Sequence, residues 1–125
     1  MEIRASAEDY LETILVLQQR NGKVRSIDIA NDMNFAKPTI SIKMKQFRDN
    51  GYITIDQDRC IHLTEKGEEI ARRIHARHTL LSEVLIAIGV DAQQAYIDAC
   101  KIEHNISEVT FECIKKFYDK VRGEV

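Results

Sequence analysis

Cys100, Glu103 and His104 stand at i, i+3 and i+4, and on a helix that spacing gathers a thiol, a carboxylate and an imidazole on one face. All three are ligands for divalent metals, so the chemistry they point to is coordination, completed by groups from other helices. Asp9 and Glu12, at i and i+3 beside an apolar stripe, have the same competence. So does His78, which lies on the apolar seam of a long helix. Each has an ordinary explanation taken singly. Asp9 suits a capping carboxylate, Glu12 a solvated helix charge, and His78 a hydrogen-bonded core histidine. Cys100 suits a small core residue, with Glu103 and His104 as a solvated edge. These explanations weaken jointly, because three helices would each have placed metal-competent groups at matching spacings by accident.

The elements that must position these groups follow from periodicity and punctuation. Ser6 reads as an N-cap with Asp9 as its capping-box partner. The helix then runs through Tyr10, Leu11, Ile14, Leu15 and Leu17 to a stop at Asn21-Gly22. Ser26 is expected to cap a short helix, Ile27 to Met33, ended by Asn34. Pro38, the only proline, suits the first turn of a second helix that turns Ile40, Met44 and Phe47 inward and stops at Gly51. Two short helices joined by a tight turn make a helix-turn-helix. Tyr52–Ile55 and Cys60–Leu63 flank a polar turn and read as a hairpin, which in that place is a wing. From Thr64 a long helix carries Ile70, Ile74, His78, Leu81, Leu85 and Ile88, a seam suited to a helical partner, and Gly89 closes it. Asp91 with Gln94 opens the helix of Cys100, Glu103 and His104. Ser107 opens a last helix expected to turn Phe111, Ile114, Phe117 and Val121 inward.

The fold class is therefore mainly α: a winged helix-turn-helix with a small β-hairpin wing, about residues 1–70, then an all-helical unit, about 71–125. The second unit is too small to bury its seams alone, so self-association as a homodimer is expected. Net charge is -2, but residues 23–77 carry 11 basic against 8 acidic side chains while both flanks are acidic, a local nucleic-acid footprint. Three cysteines without regular spacing argue against a disulfide framework. No apolar run is long enough for a membrane helix and no signal-peptide pattern opens the chain, so a cytoplasmic location without membrane association is expected.

Taken together, the segments Ser6–Ile14, Lys37–Ser41, Leu63–Gly67, Arg77–Leu81, Ile88–Asp91 and Asp98–His104 resemble the DtxR/MntR family of metal-dependent repressors over roughly the first 110 residues. The resemblance implies a winged helix, a helical dimerisation region and a divalent metal acting as corepressor between them. Carried over by position, the family's ligands fall on Asp9, Glu12, His78, Cys100, Glu103 and His104. Asp9 is similar to the manganese-type pattern, where iron-type members carry methionine. Cys100 follows the iron-type pattern, where manganese-type members carry a bridging glutamate. The ancillary site of iron-type members looks degraded, with Tyr96 and Ser82 in place of a histidine and a glutamate. Their SH3-like third domain is expected to be absent.

The donor set suits Mn²⁺ or Fe²⁺, with Co²⁺ or Zn²⁺ as further candidates because Cys100 adds a softer ligand. The candidate DNA-contacting residues are Arg25, Lys37, Pro38, Thr39, Ser41, Ile42, Lys45, Gln46, Arg59 and Lys66, with Arg59 and Lys66 as phosphate anchors and Ile42 placed for a thymine methyl. The expected function is a metal-dependent repressor of metal-uptake genes, binding a pseudo-palindromic double-stranded operator as a homodimer, with no small organic substrate. Two alternatives belong to other classes. One is a winged-helix regulator answering thiol oxidation or a small effector. The other is a small metalloenzyme, for which no nucleophile–base pair or phosphate loop is evident.

Overall fold

The computed structural model describes the backbone of residues 3–123, with side chains from Ala7 onward. Six helices and one antiparallel hairpin make up the described residues. In order they are α1 (Ile3–Asn21), α2 (Ser26–Met33), α3 (Lys37–Asp49), β1 (Ile53–Ile55), β2 (Ile61–Leu63), α4 (Glu65–Ala87), α5 (Ala92–Glu103) and α6 (Glu108–Gly123). This is the mainly helical, winged architecture expected from the sequence. The chain divides into two compact units, Met1–Ile74 and His75–Val125.

In the N-terminal unit the apolar period of α1 becomes a buried face of Leu11, Ile14 and Leu15. It packs in one core with Ile29 of α2, Ile40 and Met44 of α3, Ile53 and Ile61 of the hairpin, and Ala71 of α4. Each large aliphatic side chain so buried contributes roughly 1.5–3 kcal/mol. Tyr10 and Phe47 meet edge-to-face at 5.7 Å between centroids, extending that core.

Two helix starts differ from the sequence reading. Helix α1 begins at Ile3, so position 6 falls in the first turn rather than at a cap, and the side chain of Ser6 lies outside the described residues. Arg25, not Ser26, is the residue before α2; its N–H donates to the Asp28 carboxylate at 2.9 Å. The carboxylate three residues on thus takes the return half of a capping box, while the Asp28 N–H donates to the Arg25 carbonyl at 2.9 Å. The helix stop at Asn34 is as expected. Its φ of 60° and ψ of 46° are left-handed, and the next N–H, of Phe35, reaches back to the Ala30 carbonyl at 3.0 Å.

The hairpin pairs Ile53 with Leu63 and Ile55 with Ile61. Its turn is organised by Asp56, whose Oδ1 accepts the N–H groups of Asp58 and Cys60, both at 2.9 Å. The wing is also tied to α4. Thr64 donates its hydroxyl to the Gly51 carbonyl at 2.7 Å and accepts the Gly67 N–H at 3.2 Å, which caps the helix. Tyr52 accepts the Thr64 N–H at 3.0 Å, and a Cβ on Gly67 would run into that same Tyr52 carbonyl. Glycine is required at 67 by close backbone approach, not by its dihedral angles.

In the C-terminal unit Leu81, Ala99 and Phe111 form the core, with Leu80, Leu85, Ile102, Ile106 and Ile114 packed against it. The α4 seam is buried at His78 and Leu81, but Ile88 is 73% exposed, beyond the helix end. Gly89 ends that helix at φ +109°, with Val90 donating to the Leu85 carbonyl at 2.9 Å. Asp91 caps α5 through its carboxylate, while Gln94 turns to Asp98 instead of closing the expected box. Ser107 caps α6 by accepting the Thr110 N–H at 3.1 Å. The inward set on α6 is shorter than its periodicity suggests. Phe111 is buried and Ile114 half-buried, but Phe117 is 69% and Val121 46% exposed. The last two turns of α6 therefore present an apolar surface.

Two outcomes are expected. Gly67→Ala forces the Tyr52 carbonyl away and is expected to destabilise the N-terminal unit by about 1–3 kcal/mol, measured by urea unfolding, whereas Thr64→Ala removes the helix cap and the hydroxyl bond to the Gly51 carbonyl, about 1–2 kcal/mol. Asp56 is held below its ordinary value of 3.8 by its contact with His62 and by the Cys60 N–H. Its contribution to the turn is therefore full above that value and is lost as pH falls through the lower folded value. Amide exchange at Cys60 should stay protected down to the ordinary carboxylate range and open only below it.

Candidate metal centre and nucleic-acid interface

Small residues at Ala95 and Ala99, one turn apart and both fully buried, line the packed face of α5. Ala99 sits in the same core as Leu81 of α4. The neighbouring face of α5 carries Cys100 and Glu103, and it meets His78 of α4. Cys100 Sγ lies 3.0 Å from His78 Nε2, and His78 Nδ1 lies 3.9 Å from Glu103 Oε1. His104, which ends α5, brings its Nε2 to 3.7 Å from the same oxygen. Glu103 is 3% and His78 2% exposed. A carboxylate so far from water costs several kcal/mol unless cationic or donor groups face it, and two imidazoles do.

His78 is oriented by Tyr96, whose ring stacks on it at 4.4 Å between centroids and whose carbonyl lies 3.2 Å from Nε2. Tyr96 thus fixes the ring so that Nδ1 is the nitrogen facing Glu103. Of the six sequence-derived ligands, the C-terminal unit thus gathers four: His78, Cys100, Glu103 and His104. Asp9 and Glu12 belong to α1 of the N-terminal unit, one turn apart, Asp9 half-buried and Glu12 buried. The donor set of carboxylate, imidazole and thiol fits a divalent transition metal. The sulfur of Cys100 is turned toward the histidine. Tyr96 as the support of His78 is the residue that helical spacing alone does not reveal, since it precedes Cys100 by four positions with no metal-binding group of its own. Cys60 is buried and Cys113 exposed, both as free thiols.

In the N-terminal unit α3 buries Ile40 and Met44 and leaves Lys37, Pro38, Thr39, Ile42, Lys45 and Gln46 exposed, with Ser41 half-buried. An open hollow beside this helix is lined by Arg25, Lys37, Lys45, Arg48 and Arg59, together with Ser41. Five cations and few anions on one concavity make a surface for a polyanion. Arg48 joins the set that the sequence proposed. Lys66 stands apart from it. Its ammonium lies over the Tyr52 ring at 4.3 Å, in a shallow depression shared with Glu65, Glu68 and Glu69.

Comparison with known proteins bears on both halves. A sequence model described as "Iron dependent repressor, N-terminal DNA binding domain" matches residues 2–61, and one described as "Iron dependent repressor, metal binding and dimerisation domain" matches residues 64–123. The chain belongs to the DtxR/MntR family. The transcriptional regulator MntR of Escherichia coli is 31% identical over 117 residues, covering 94% of this chain and 76% of that protein. The HTH-type regulator MntR of Listeria welshimeri is 39% identical over 103 residues, 82% of this chain and 72% of the relative. Among solved structures, the manganese regulator SloR aligns with a TM-score of 0.78 at 28% identity, covering 90% of this chain and 53% of SloR. The chain thus spans about half the length of that structure.

Cobalt(II) titration tests the placement of sulfur in this DtxR/MntR member. A thiolate-to-cobalt charge-transfer band in the near ultraviolet is expected with the wild-type chain and is expected to vanish in Cys100→Ser. A band that survives the substitution would take Cys100 sulfur out of the coordination set.

Proposed function

We propose that the protein is a metal-responsive transcriptional repressor that binds operator DNA as a homodimer when a divalent cation is bound, and that it acts in the cytoplasm on genes for metal uptake. The observation that carries this reading is the buried Glu103 carboxylate faced by His78 and His104, with the Cys100 thiol beside it, in the part of the chain matched by a metal-binding and dimerisation model. We assign DNA binding to residues 1–70, and dimerisation with most of the metal ligands to residues 71–125. No catalytic role is assigned.

The proposed ligands are Asp9, Glu12, His78, Cys100, Glu103 and His104, and the proposed metal is Mn²⁺ or Fe²⁺, with Co²⁺ or Zn²⁺ able to substitute on affinity. A bound dication supplies the positive charge around which these carboxylates, imidazoles and thiol converge. Glu103 provides anionic charge already stripped of water. His78 offers a nitrogen whose direction is set by Tyr96. Asp9 and Glu12 come from the helix that packs under the helix-turn-helix, so ligation by them ties the state of the reading head to metal occupancy. A dimer binds well only when its two recognition helices match half-sites about one helical turn apart, and fixing that separation is the proposed output. By linkage, DNA then tightens metal binding by the factor with which metal tightens DNA binding.

On the DNA side, Arg25, Lys37, Lys45, Arg48 and Arg59 are proposed to meet phosphates, while Pro38, Thr39, Ser41, Ile42 and Gln46 face the groove. Lys66, engaged with Tyr52, is retained as a phosphate contact at the edge. The apolar face of α6 at Phe117 and Val121 suits burial in a homodimer.

A gel-shift series with chelator and then added Mn²⁺, Fe²⁺, Zn²⁺ or Co²⁺ tests the reading, using promoter fragments of metal-transport genes. Binding is expected only with metal. Glu103→Gln and His104→Ala are each expected to weaken metal-dependent binding by at least the roughly 10–100-fold that loss of even an outer partner costs a metal site, with helical circular dichroism retained. DNA binding that ignores chelator but follows oxidation of Cys100 would replace this reading with a thiol-responsive one.

A further inference from the structure

The wing carries an aspartate at the start of its turn, a charge of the wrong sign for a surface that meets phosphates. Its contacts account for it. Asp56 uses Oδ1 to accept the N–H groups of Asp58 and Cys60 at 2.9 Å each, and its Oδ2 lies 2.9 Å from His62 Nε2. Its carbonyl accepts the Arg59 N–H at 2.9 Å, and its own N–H donates to the Cys60 carbonyl at 3.0 Å. One residue thereby engages the backbone of three others in the turn and clamps the turn to β2.

The turn so held places Arg59 at φ +66°, a conformation that side chains with a β-carbon rarely adopt. Glycine would occupy it without steric cost, so the local geometry gives no reason for arginine. The hollow beside α3 gives one. Arg59 lines it together with Arg25, Lys37, Lys45 and Arg48, against the repulsion of four like charges. A strained cation aimed at other cations is sustained by a shared anionic ligand.

We infer that Asp56 is a positioning residue for DNA binding: it holds the turn of residues 56–60 in the conformation that sets Arg59 into the basic hollow, where Arg59 contacts a backbone phosphate. The inference rests on the DNA-binding reading above. It deepens that reading by naming an acidic residue, outside every DNA-facing set, on which one phosphate contact depends.

The experiment measures the affinity of the full chain with Mn²⁺ for a mixed-sequence DNA duplex across a salt series, by fluorescence anisotropy. Phosphate contacts are sequence-independent, so no operator is needed. Arg59→Gly is expected to make the slope of log affinity against log salt shallower by about 0.9, the value of one phosphate contact, with a melting temperature equal to or above wild type. Asp56→Ala is expected to lose the same increment. Asp56→Asn, which keeps an oxygen for the two N–H groups, is expected to restore most of it. In the Arg59→Gly background, Asp56→Ala is expected to cost nothing further. The inference is overturned if Asp56→Ala weakens the Arg59→Gly protein by the same factor as wild type, or if Arg59→Gly leaves the slope unchanged. A wild-type chain that binds no duplex at low salt with or without Mn²⁺ would instead overturn the DNA reading on which it rests.

Discussion

Keeping an ionisable carboxylate out of water is the constraint around which the C-terminal unit is arranged. Glu103 can be enclosed only if imidazoles approach it, and His78 can approach only if α4 and α5 pack closely. The alanines at 95 and 99 keep the packed face of α5 free of bulk. Tyr96 then fixes the histidine ring from the side, by stacking and by its carbonyl. An apolar residue at 103 would pack at less cost, since a buried charge rarely stabilises a fold more than a hydrophobic replacement does. A buried glutamate here fits the proposed role as a metal ligand better than a role in stability.

The N-terminal unit solves a different electrostatic problem. Its core is almost wholly apolar, so Lys37, Lys45 and Arg48 of α3 are left on the outside, and the wing returns one more cation, Arg59, to the same concavity. Chain-wide net charge of -2 conceals this, because acidic residues are placed elsewhere. Some of them, at the start of α4, stand where a helix N-terminus favours negative charge.

Elements with strong periodicity or an unambiguous terminator were readable directly from the residues. The helix-turn-helix is marked by Asn34, Pro38 and Gly51, the wing by two β-prone runs, and the shared face of Cys100 and Glu103 on α5 by its spacing. Misreadings arose where two local signals compete. A serine near a helix start suggests a cap, yet α1 extends back past Ser6, and at α2 Ser26 lies inside the helix with Arg25 before it. On α6 the apolar period continues to Val121, but nothing among the described residues covers Phe117 and Val121. Periodicity reports which face is apolar and not what covers it. The pairing of Cys100 with His78, 22 positions apart, and the stack of Tyr96 on that histidine depend on tertiary packing. Neither has a local signature. Family likeness, not spacing, is what proposes His78 as a ligand.

Tyr52 has a consequence beyond its own stability. Its carbonyl takes the Thr64 N–H and abuts Gly67, its ring meets Phe47 edge-on at 6.3 Å, and Lys66 sits on its open side. The end of the recognition helix, the entry to the hairpin and the first turn of α4 are thereby welded at a single joint. Opening any one of them costs the contacts of the other two, so the three are expected to open as a single cooperative foldon rather than as separate pieces.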